Sequence, residues 1–501
     1  MAKPLSNVIL EAPGFFGLNT EDSPASMPPA FAKVADNCIV DNRGRIASRQ
    51  GLEYVTTTNG TDTNIKTIYE FLKQDGTSVT LSAGDDKIFT GTTTLTDITA
   101  SLTITADDWQ MVTLANEVHM FQAEHEPLSY TAAGTLALHS TSGTGTPPEA
   151  SCAVAGYGRI FAAGSAGSEH IVYWTDLLQG DSWTGGTSGS IDTREYWPQG
   201  FDTPVALAAH NGFLVIFGRR SILVYSGADS PSTMELQDSI DGIGCIARDS
   251  VINTGSDLLF LDSTGYRSLG RTVQEKSSPI GSISRNVNTD LRGFVSGESL
   301  PIKAVYDRKN SNVLLILPSS QYVICFDTAL PLEDGSYRTT YWTGVRAACG
   351  YFARDETLLF GEVNGIKKYS DTYKDEGESY VMRYYSWSQD FGTPTTEKIS
   401  KGADVTTDGG SGLLIAIKFA YDYSEAYRTI QKSLDTFSQA FFGIGEFGED
   451  EFSSGLGTIS RNHINLTGRG RSISLGLEAS IDGDSLAIQE INIHSIVGRM
   501  I

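Results

Sequence analysis

The sequence predicts an all-β protein: a β-propeller of six blades, with seven as the alternative count, an extended N-terminal arm and a C-terminal β-sandwich-like domain. Three observations support this fold class. The 501 residues include 52 Gly, 21 Tyr and 22 Phe, and aromatic residues favour strands whereas Gly serves turns. Helical periodicity is almost absent. Short apolar runs that follow turn residues recur between residues 84 and 369.

The first region, residues 1–50, is predicted to form the arm. Ala12-Pro13-Gly14 and Met27-Pro28-Pro29 interrupt any long regular element. Only residues 28–35 suit a short helix, because proline is tolerated in a first helical turn. A segment of this kind buries little apolar surface alone, so we expect it to pack on the second domain or on a neighbouring subunit.

The second region, residues 51–378, carries the repeat that predicts the propeller. Seven segments share a turn residue followed by an apolar strand, and they lie at 84–89, 116–121, 158–161, 211–225, 256–269, 311–326 and 356–369. A recurrence every ~30 to 55 residues is typical of propeller blades. Small sheets must cover one another, so a closed ring follows. Six blades are expected if the first hairpin belongs elsewhere. A string of β-sandwiches is the alternative architecture.

The third region, residues 379–501, lacks the repeat and is expected to form a separate β-rich channel or platform domain. Strands are predicted at 403–406, 412–421, 472–477 and 486–497, and residues 425–434 are a second candidate for a short helix. Residues 441–455 are too rich in glycine and acid for a core strand. We expect them to form a projecting acidic loop that contains Glu446, Glu449, Asp450 and Glu451.

The charge and the cysteine content of the chain exclude several classes of function. The net charge is -23, from 60 acidic and 37 basic residues, whereas nucleic-acid binders neutralise phosphates with Lys and Arg. Specific nucleic-acid binding is therefore not expected. No apolar run has the length of a signal-peptide core or a membrane span, which predicts synthesis in the cytosol and no membrane insertion. Buried free thiols are expected at Cys38, Cys152, Cys245, Cys325 and Cys349, which show no paired spacing.

No catalytic, cofactor-binding or metal site is expected. On one continuous strand His119 and His125 would lie about 20 Å apart, too far to share one ion. The motifs of nucleophile elbows, zinc proteases, Walker loops and EF-hands are missing from the sequence. Paired carboxylates of a propeller glycosidase are the enzymatic alternative. The aromatic side chains that could serve as its sugar platform, or simply as core, are Trp174, Trp183, Trp197, Trp342 and Trp387.

A series of motifs follows one another between residues 158 and 284. They are Gly158-Arg159-Ile160-Phe161, then 173–178, 181–183, 202–207, 213–225, 242–251, 259–261 with 265–266, and 278–284. Their order and spacing resemble the tail-hub, or nozzle, proteins of short-tailed double-stranded DNA bacteriophages, also termed phage stabilisation proteins. Residues 12–24 and 45–51 resemble such tail proteins as well. The chain departs from the family at Leu214, Val215 and Leu259, where the family often has Trp, a difference that affects packing more than role.

The resemblance implies a structural virion protein and not an enzyme. Copies would form a six-fold ring below the portal and adaptor, in a tail assembled in the host bacterial cytoplasm. The implied partners are further copies, the head–tail adaptor and tail fibre, tailspike or needle proteins, while DNA passes without specific binding. No cofactor is implied. The acidic loop with Glu446 and Glu451 is expected to face the channel or its tip. The alternative function is a β-propeller lectin or glycosidase acting on bacterial surface glycans.

Overall fold

The structure, a computed structural model, describes residues 5–57, 64–104, 108–198, 200–274, 281–434 and 459–500. Before the propeller repeat it contains six strands, β1 to β6, at Leu5–Glu11, Gly17–Leu18, Phe31–Asp36, Cys38–Val40, Ile46–Ser48 and Gly51–Tyr54. The first five strands belong to the sheets of the second domain, and β6 belongs to the propeller. The beginning of the chain is therefore part of both domains.

Four consecutive four-stranded antiparallel sheets follow, built from β7 to β22. Their strands are Thr67–Leu72, Ser78–Gly84, Lys87–Thr90 and Thr96–Asp97; Gln110–Leu114, Glu117–Gln122, His125–Thr131 and Leu136–Leu138; Cys152–Gly156, Arg159–Ser165, Ser168–Trp174 and Gly189–Asp192; and Pro204–His210, Phe213–Gly218, Ser221–Ser226 and Glu235–Asp241. Each strand pairs with the next along the chain, as in propeller blades. A helical turn, α1 (His139–Ser142), follows the second sheet.

Three further sheets complete the repeat. The fifth has three strands, β23 to β25, at Ile252–Asn253, Leu258–Asp262 and Gly265–Ser268, and two helices follow it, α2 (Leu269–Gln274) and α3 (Asn288–Gly297). The sixth contains β26 to β29, at Lys303–Asp307, Asn312–Leu317, Tyr322–Asp327 and Arg338–Thr343. The seventh contains β30 to β32, at Cys349–Phe352, Leu358–Glu362 and Gly365–Ser370, and its fourth strand is β6.

These sheets form a closed ring. Their innermost strands contact in the order β7, β11, β15, β19, β23 with the 3-10 turn Arg248–Ser250, β26 and β30, and β30 contacts β7 again. Six blades thus have four strands each, and the three-stranded sheet lies between two of them. The predicted all-β propeller of six blades, with seven as the alternative count, is confirmed. A string of β-sandwiches is wrong for this region, because the sheets pack side by side around one axis.

The seven predicted hairpin segments lie in seven different sheets. Six of them begin at the turn between the first and second strands of a blade. The first, at 84–89, lies one strand later, between β8 and β9. There Asp85 and Asp86 have φ angles of 51° and 58°, the left-handed conformation that a two-residue hairpin turn requires.

The second domain contains β33 to β40 together with strands from the beginning of the chain. Its own strands are Tyr380–Ser386, Thr396–Gly409, Leu414–Tyr421, Arg428–Ser433, Ile459–Ile464, Gly468–Gly470, Ile473–Ile481 and Leu486–Met500. One sheet has seven strands and includes β1, β34 and β40. The other has ten and runs from β26–β29 through β2 and β3 into β33, β39, β35 and β36. Both sheets contribute to one core, as predicted for a sandwich.

Two helix predictions are wrong. Most of the predicted helix at 28–35 belongs instead to the strand β3, Phe31–Asp36, which pairs with β33. Within residues 425–434, Arg428–Ser433 form the strand β36, which pairs with β35. In both places strand partners from elsewhere in the chain override the local preference of Ala, Lys and Arg for helix.

The cysteine prediction is confirmed, because all five cysteines are buried and free. Within the described residues no helix has the length and apolar character that a membrane span requires.

Candidate functional site

The innermost strands leave a small cavity on the propeller axis. Its volume is about 200 Å³, and Thr67, Trp109, Met111, Arg248 and Lys303 contribute to its lining. These residues come from the beginnings of inner strands or from the segments just before them. In any ring of blades such positions face one another across the axis, which makes this cavity the natural candidate site.

Four charged side chains fill the axis beside this cavity. Lys303 Nζ lies 2.6 Å from Asp108 Oδ1 and 3.6 Å from Asp249 Oδ2. Arg248 Nη2 lies 2.6 Å from Asp249 Oδ2 and 3.1 Å from Asp108 Oδ2. Two cations and two carboxylates therefore balance one another in a largely buried place.

Electrostatic interactions favour the charged forms of Asp249 and Lys303. Burial by itself raises the pKa of Asp249, but Arg248 and Lys303 outweigh burial and hold that pKa below its usual value. Burial by itself lowers the pKa of Lys303, but Asp249 and Asp108 outweigh it and raise the pKa. Arg248, Asp249 and Lys303 are thus held in their charged forms by one another.

The same cluster ties several blades together. Arg248 Nη1 donates a hydrogen bond to the carbonyl oxygen of Ser151 at 2.9 Å, just before the third blade. Lys303 Nζ donates to the carbonyl oxygen of Lys66 at 2.8 Å, just before the first blade. Asp108 immediately precedes the second blade. The axis is therefore closed by bonds between neighbouring and distant blades.

The axis opens into a recess at each end. Where the inner strands begin, a recess of about 530 Å³ includes Arg219 and Glu298 in its lining. Where they end, a funnel of about 680 Å³ is lined by Glu70, Leu72, Tyr306, Arg308, Lys309, Tyr351, Phe352, Arg354 and Glu356, among others. The funnel combines aromatic rings with cations and two carboxylates, which is a surface able to bind polar ligands.

The tryptophans that were candidates for a sugar platform or for the core do not line these cavities. Trp174, Trp183, Trp197 and Trp342 are buried in the cores between sheets. Trp387 donates its indole N–H to the carbonyl oxygen of Asn19 at 3.0 Å. The sequence analysis does not identify the aromatic residues of the funnel. They lie at the ends of inner strands, and identifying them would have required knowing which strand of each repeat is the innermost.

The two histidines considered for a metal site are separate. His119 Nδ1 lies 3.1 Å from His139 Nε2, and burial lowers the pKa of His119 to about 4. His125 packs edge-on against Trp109 at 4.8 Å between ring centroids. No group of three or more His, Cys, Asp and Glu side chains that could hold a metal ion occurs in the part of the chain that the structure describes.

The predicted acidic channel residues Glu446, Glu449, Asp450 and Glu451 lie outside the described residues.

The motif residues of the third blade have clear structural roles. Arg159 Nη1 donates to the carbonyl oxygen of Thr175 at 2.8 Å. Asp176 Oδ1 accepts hydrogen bonds from the backbone N–H and the hydroxyl of Thr187, at 2.9 and 2.7 Å. These bonds fix the loop that follows β17. The loop presents Leu177 and Leu178 to solvent, 51% and 59% exposed.

Comparisons with known proteins bear on the fold alone. No protein-family model and no curated protein matches the chain. Among solved structures, the extracellular domain of a one-component system from B. thetaiotaomicron has 10% identity and a TM-score of 0.43, with coverage of 69% of this chain. This chain spans 46% of the length of that structure.

Two WD40 propellers are similar as well. The WD40 domain of Neurospora crassa Pan2 has 9% identity and a TM-score of 0.39, covering 64% of this chain and 94% of its own. The WD40 propeller domain of Doa1 has 7% identity and a TM-score of 0.37, covering 64% and 96%. The protein is a β-propeller on the strand pairing described above.

Proposed function

We propose that the protein is a structural subunit of the tail of a short-tailed double-stranded DNA bacteriophage. Its copies would form a six-fold ring below the portal–adaptor complex and continue the channel for DNA ejection. The proposal rests on the resemblance of residues 158–284 to tail nozzle proteins. The structural observation that supports this proposal is the ten-stranded sheet shared by the propeller and the second domain.

This sheet makes the two domains mechanically continuous. Strand β29 of the sixth propeller sheet pairs with β2, β2 pairs with β3, and β3 pairs with β33 of the second domain. Buried side chains on both sides of this junction, such as Phe326 and Leu477, belong to one hydrophobic core. A shared sheet and a shared hydrophobic core restrict relative motion of the two domains, which suits a subunit of a rigid ring better than a flexible linker would.

The closed axis supports a channel between copies. The cavity of about 200 Å³ beside the Arg248–Asp249 ion pair leaves no continuous path for a DNA duplex through one propeller. DNA would instead pass along the common axis of the ring, next to the second domains. The net charge of -23 suits passage without binding, because acidic surfaces repel phosphates.

Electron microscopy of the full-length protein tests this proposal. The purified protein is imaged alone and after mixing with the portal–adaptor complex of the phage that encodes it. We expect six-fold rings with an open central channel that attach to the adaptor. Monomers that persist at high concentration and never join the adaptor would contradict the proposal.

The funnel supports one alternative, a propeller that binds or cleaves bacterial surface glycans. Tyr306 and Tyr351 offer rings for sugars, and Glu70 and Glu356 are two carboxylates in the same recess. The test measures binding and hydrolysis of host surface polysaccharide by the intact protein, by Tyr351→Ala and by Glu356→Gln. Binding that either substitution abolishes would favour the alternative. An intact protein that neither binds nor cleaves the polysaccharide would exclude it.

A further inference from the structure

Strand β1 has one open side. It pairs with β40 along its whole length, and within the described residues no strand pairs with its other side. In an antiparallel pair, alternate residues direct their N–H and C=O groups away from the partner strand. The open side of β1 therefore presents a row of hydrogen-bonding groups to which a further strand can add.

The sequence of β1 does not protect this edge. Proteins commonly block an open edge with Lys, Arg or Pro, and β36, the edge of the ten-stranded sheet, carries Arg428 and Lys432. Strand β1, in contrast, has the sequence LSNVILE, which contains none of these residues and whose single charged residue, Glu11, is the last one. Ile9 near its end is 52% exposed. A largely apolar open edge of this kind is expected to be covered by another chain.

A groove accompanies this edge. Its volume is about 560 Å³, and its lining consists of residues 9–14, Phe16 and Arg338. The Phe16 ring lies 5.6 Å from the Arg338 guanidinium carbon and 5.4 Å from the Phe31 ring. The groove thus has an aromatic wall, one cationic side chain, Arg338, and one carboxylate, Glu11.

Arg338 is the unusual member of the groove. The residue is only 7% exposed, and its buried Nε and Nη1 atoms have no hydrogen-bond partner among the described residues. Asp327 is its cross-strand neighbour, but Asp327 Oδ1 accepts the N–H of Ala329 and its buried Oδ2 is also unpartnered. Unpaired buried donors are costly, and a guanidinium matches a carboxylate with two parallel hydrogen bonds.

We propose that the open edge of β1 receives an extended segment of a second copy of the protein. The segment adds a strand to the seven-stranded sheet and places an Asp or Glu carboxylate against Arg338. A second copy can supply this carboxylate, because each chain carries 60 acidic residues, and the unpartnered Nε and Nη1 atoms of Arg338 can receive it. The choice of occupant rests on the proposed ring, since a head-to-tail contact repeated between copies is what closes a ring.

Photo-crosslinking in the full-length protein tests the inference. Ile9 is replaced by p-benzoylphenylalanine in unlabelled protein, which is mixed with ¹⁵N-labelled wild-type protein before illumination. Mass spectrometry then identifies the crosslinked peptide, and the isotope label shows which copy supplied it. We expect a peptide of the labelled copy that contains Asp or Glu.

Substitution of the arginine adds a specificity test. We expect Arg338→Gln to reduce the crosslink between copies about tenfold, since it removes a charge-assisted pair. Arg338→Lys retains the charge and should restore part of the crosslink. The matched control is Arg428→Gln, which removes one positive charge from the other sheet edge and should leave the crosslink unchanged. Circular dichroism shows whether each variant is folded. If Arg338→Gln does not fold, the crosslink of the Ile9 variant with Arg338 intact decides whether a second copy occupies the edge.

The outcomes separate this inference from the proposed function. Rings whose Ile9 crosslinks stay within one chain would overturn the inference and leave the ring proposal standing. A crosslink between copies in a protein that forms no ring would support the inference and contradict the ring. A protein that neither assembles nor crosslinks between copies would overturn both.

Discussion

Asp249 lies between two cations, Arg248 and Lys303, on the propeller axis. Replacing it with Asn leaves both cations buried with one carboxylate, Asp108, to neutralise them. We expect Asp249→Asn to lower the free energy of unfolding by about 3 kcal/mol, the cost of breaking a buried ion pair from one side. Urea denaturation measures this change. The matched control is Asp75→Asn in an exposed hairpin turn, which should have little effect. Equal stability of the two variants would contradict a structural role for the axial cluster.

His119 gives the protein a defined sensitivity to acid. Trp183 Nε1 donates to His139 Nδ1 at 3.2 Å, so His139 carries its proton on Nε2 and donates it to His119 Nδ1. The remaining proton of the neutral His119 ring is then on Nε2, which is buried without a partner. A second proton on either ring would add a charge that this core cannot solvate.

The pH dependence follows from this arrangement. Burial lowers the pKa of folded His119 to about 4, while the ordinary value of 6.5 applies to the unfolded chain. The unfolded state therefore binds more protons between these two values, and the free energy of unfolding falls by up to about 3 kcal/mol as the pH falls through this window. Thermal unfolding between pH 7.5 and 4 measures the loss. His119→Gln should show a flatter dependence, and identical pH profiles for variant and wild type would contradict the assignment.

At the scale of elements, the strand β6 closes the ring. Strand β6, which precedes the first blade in the chain, pairs with β32 of the last blade. The two ends of the propeller segment are therefore joined in one sheet. Leu52 of β6 is buried in the core that this blade shares with its neighbour. We expect Leu52→Ala to cost about 2–5 kcal/mol. Thr96→Ala in the exposed outer strand β10 is the control and should change stability little. Equal unfolding midpoints in urea would show that β6 does not hold the ring.

The hairpins could be predicted from the sequence, but their place within each blade could not. A hairpin needs only a turn pair such as Asp85-Asp86 between two apolar strands, and both features are local. The short inner strands, such as Ile252–Asn253, carry little pattern of their own, and pairing with the next strand defines them. For the same reason the sequence indicated seven hairpins but not the residues that face the axis.

The axial cluster could not be predicted for a different reason. Asp108, Arg248 and Lys303 are far apart in the chain, and although Arg248 lies in the motif 242–251, nothing in that motif indicates its two distant partners. Only the closure of the ring brings them together. The helix predictions at 28–35 and 425–434 failed in the same way, because the partners β33 and β35 that fix these segments as strands lie elsewhere in the sequence.

At the scale of the whole molecule, the two domains should unfold together. They share the ten-stranded sheet and one hydrophobic core, so neither can lose its structure without exposing apolar surface of the other. Strand β2 is the shortest part of the connection, with only two residues, and it lies between β29 and β3. Perturbing β2 should therefore weaken the coupling between the domains more than perturbing a blade.

Gly17 of β2 allows a sharp test of this coupling. Its φ is +76°, and a Cβ atom there would lie 2.6 Å from the carbonyl oxygen of Thr339 in β29. Gly212, in a hairpin turn of the fourth blade, has a similar φ of +84° with nothing within 4 Å of the added Cβ. Both Gly→Ala variants carry the backbone penalty of about 1–2 kcal/mol, but only Gly17→Ala also forces β2 away from β29. We expect calorimetry to show one transition for the wild type and Gly212→Ala, and two for Gly17→Ala. Two transitions in the wild type would mean that the shared sheet does not couple the domains, and would remove the structural observation on which the nozzle proposal depends.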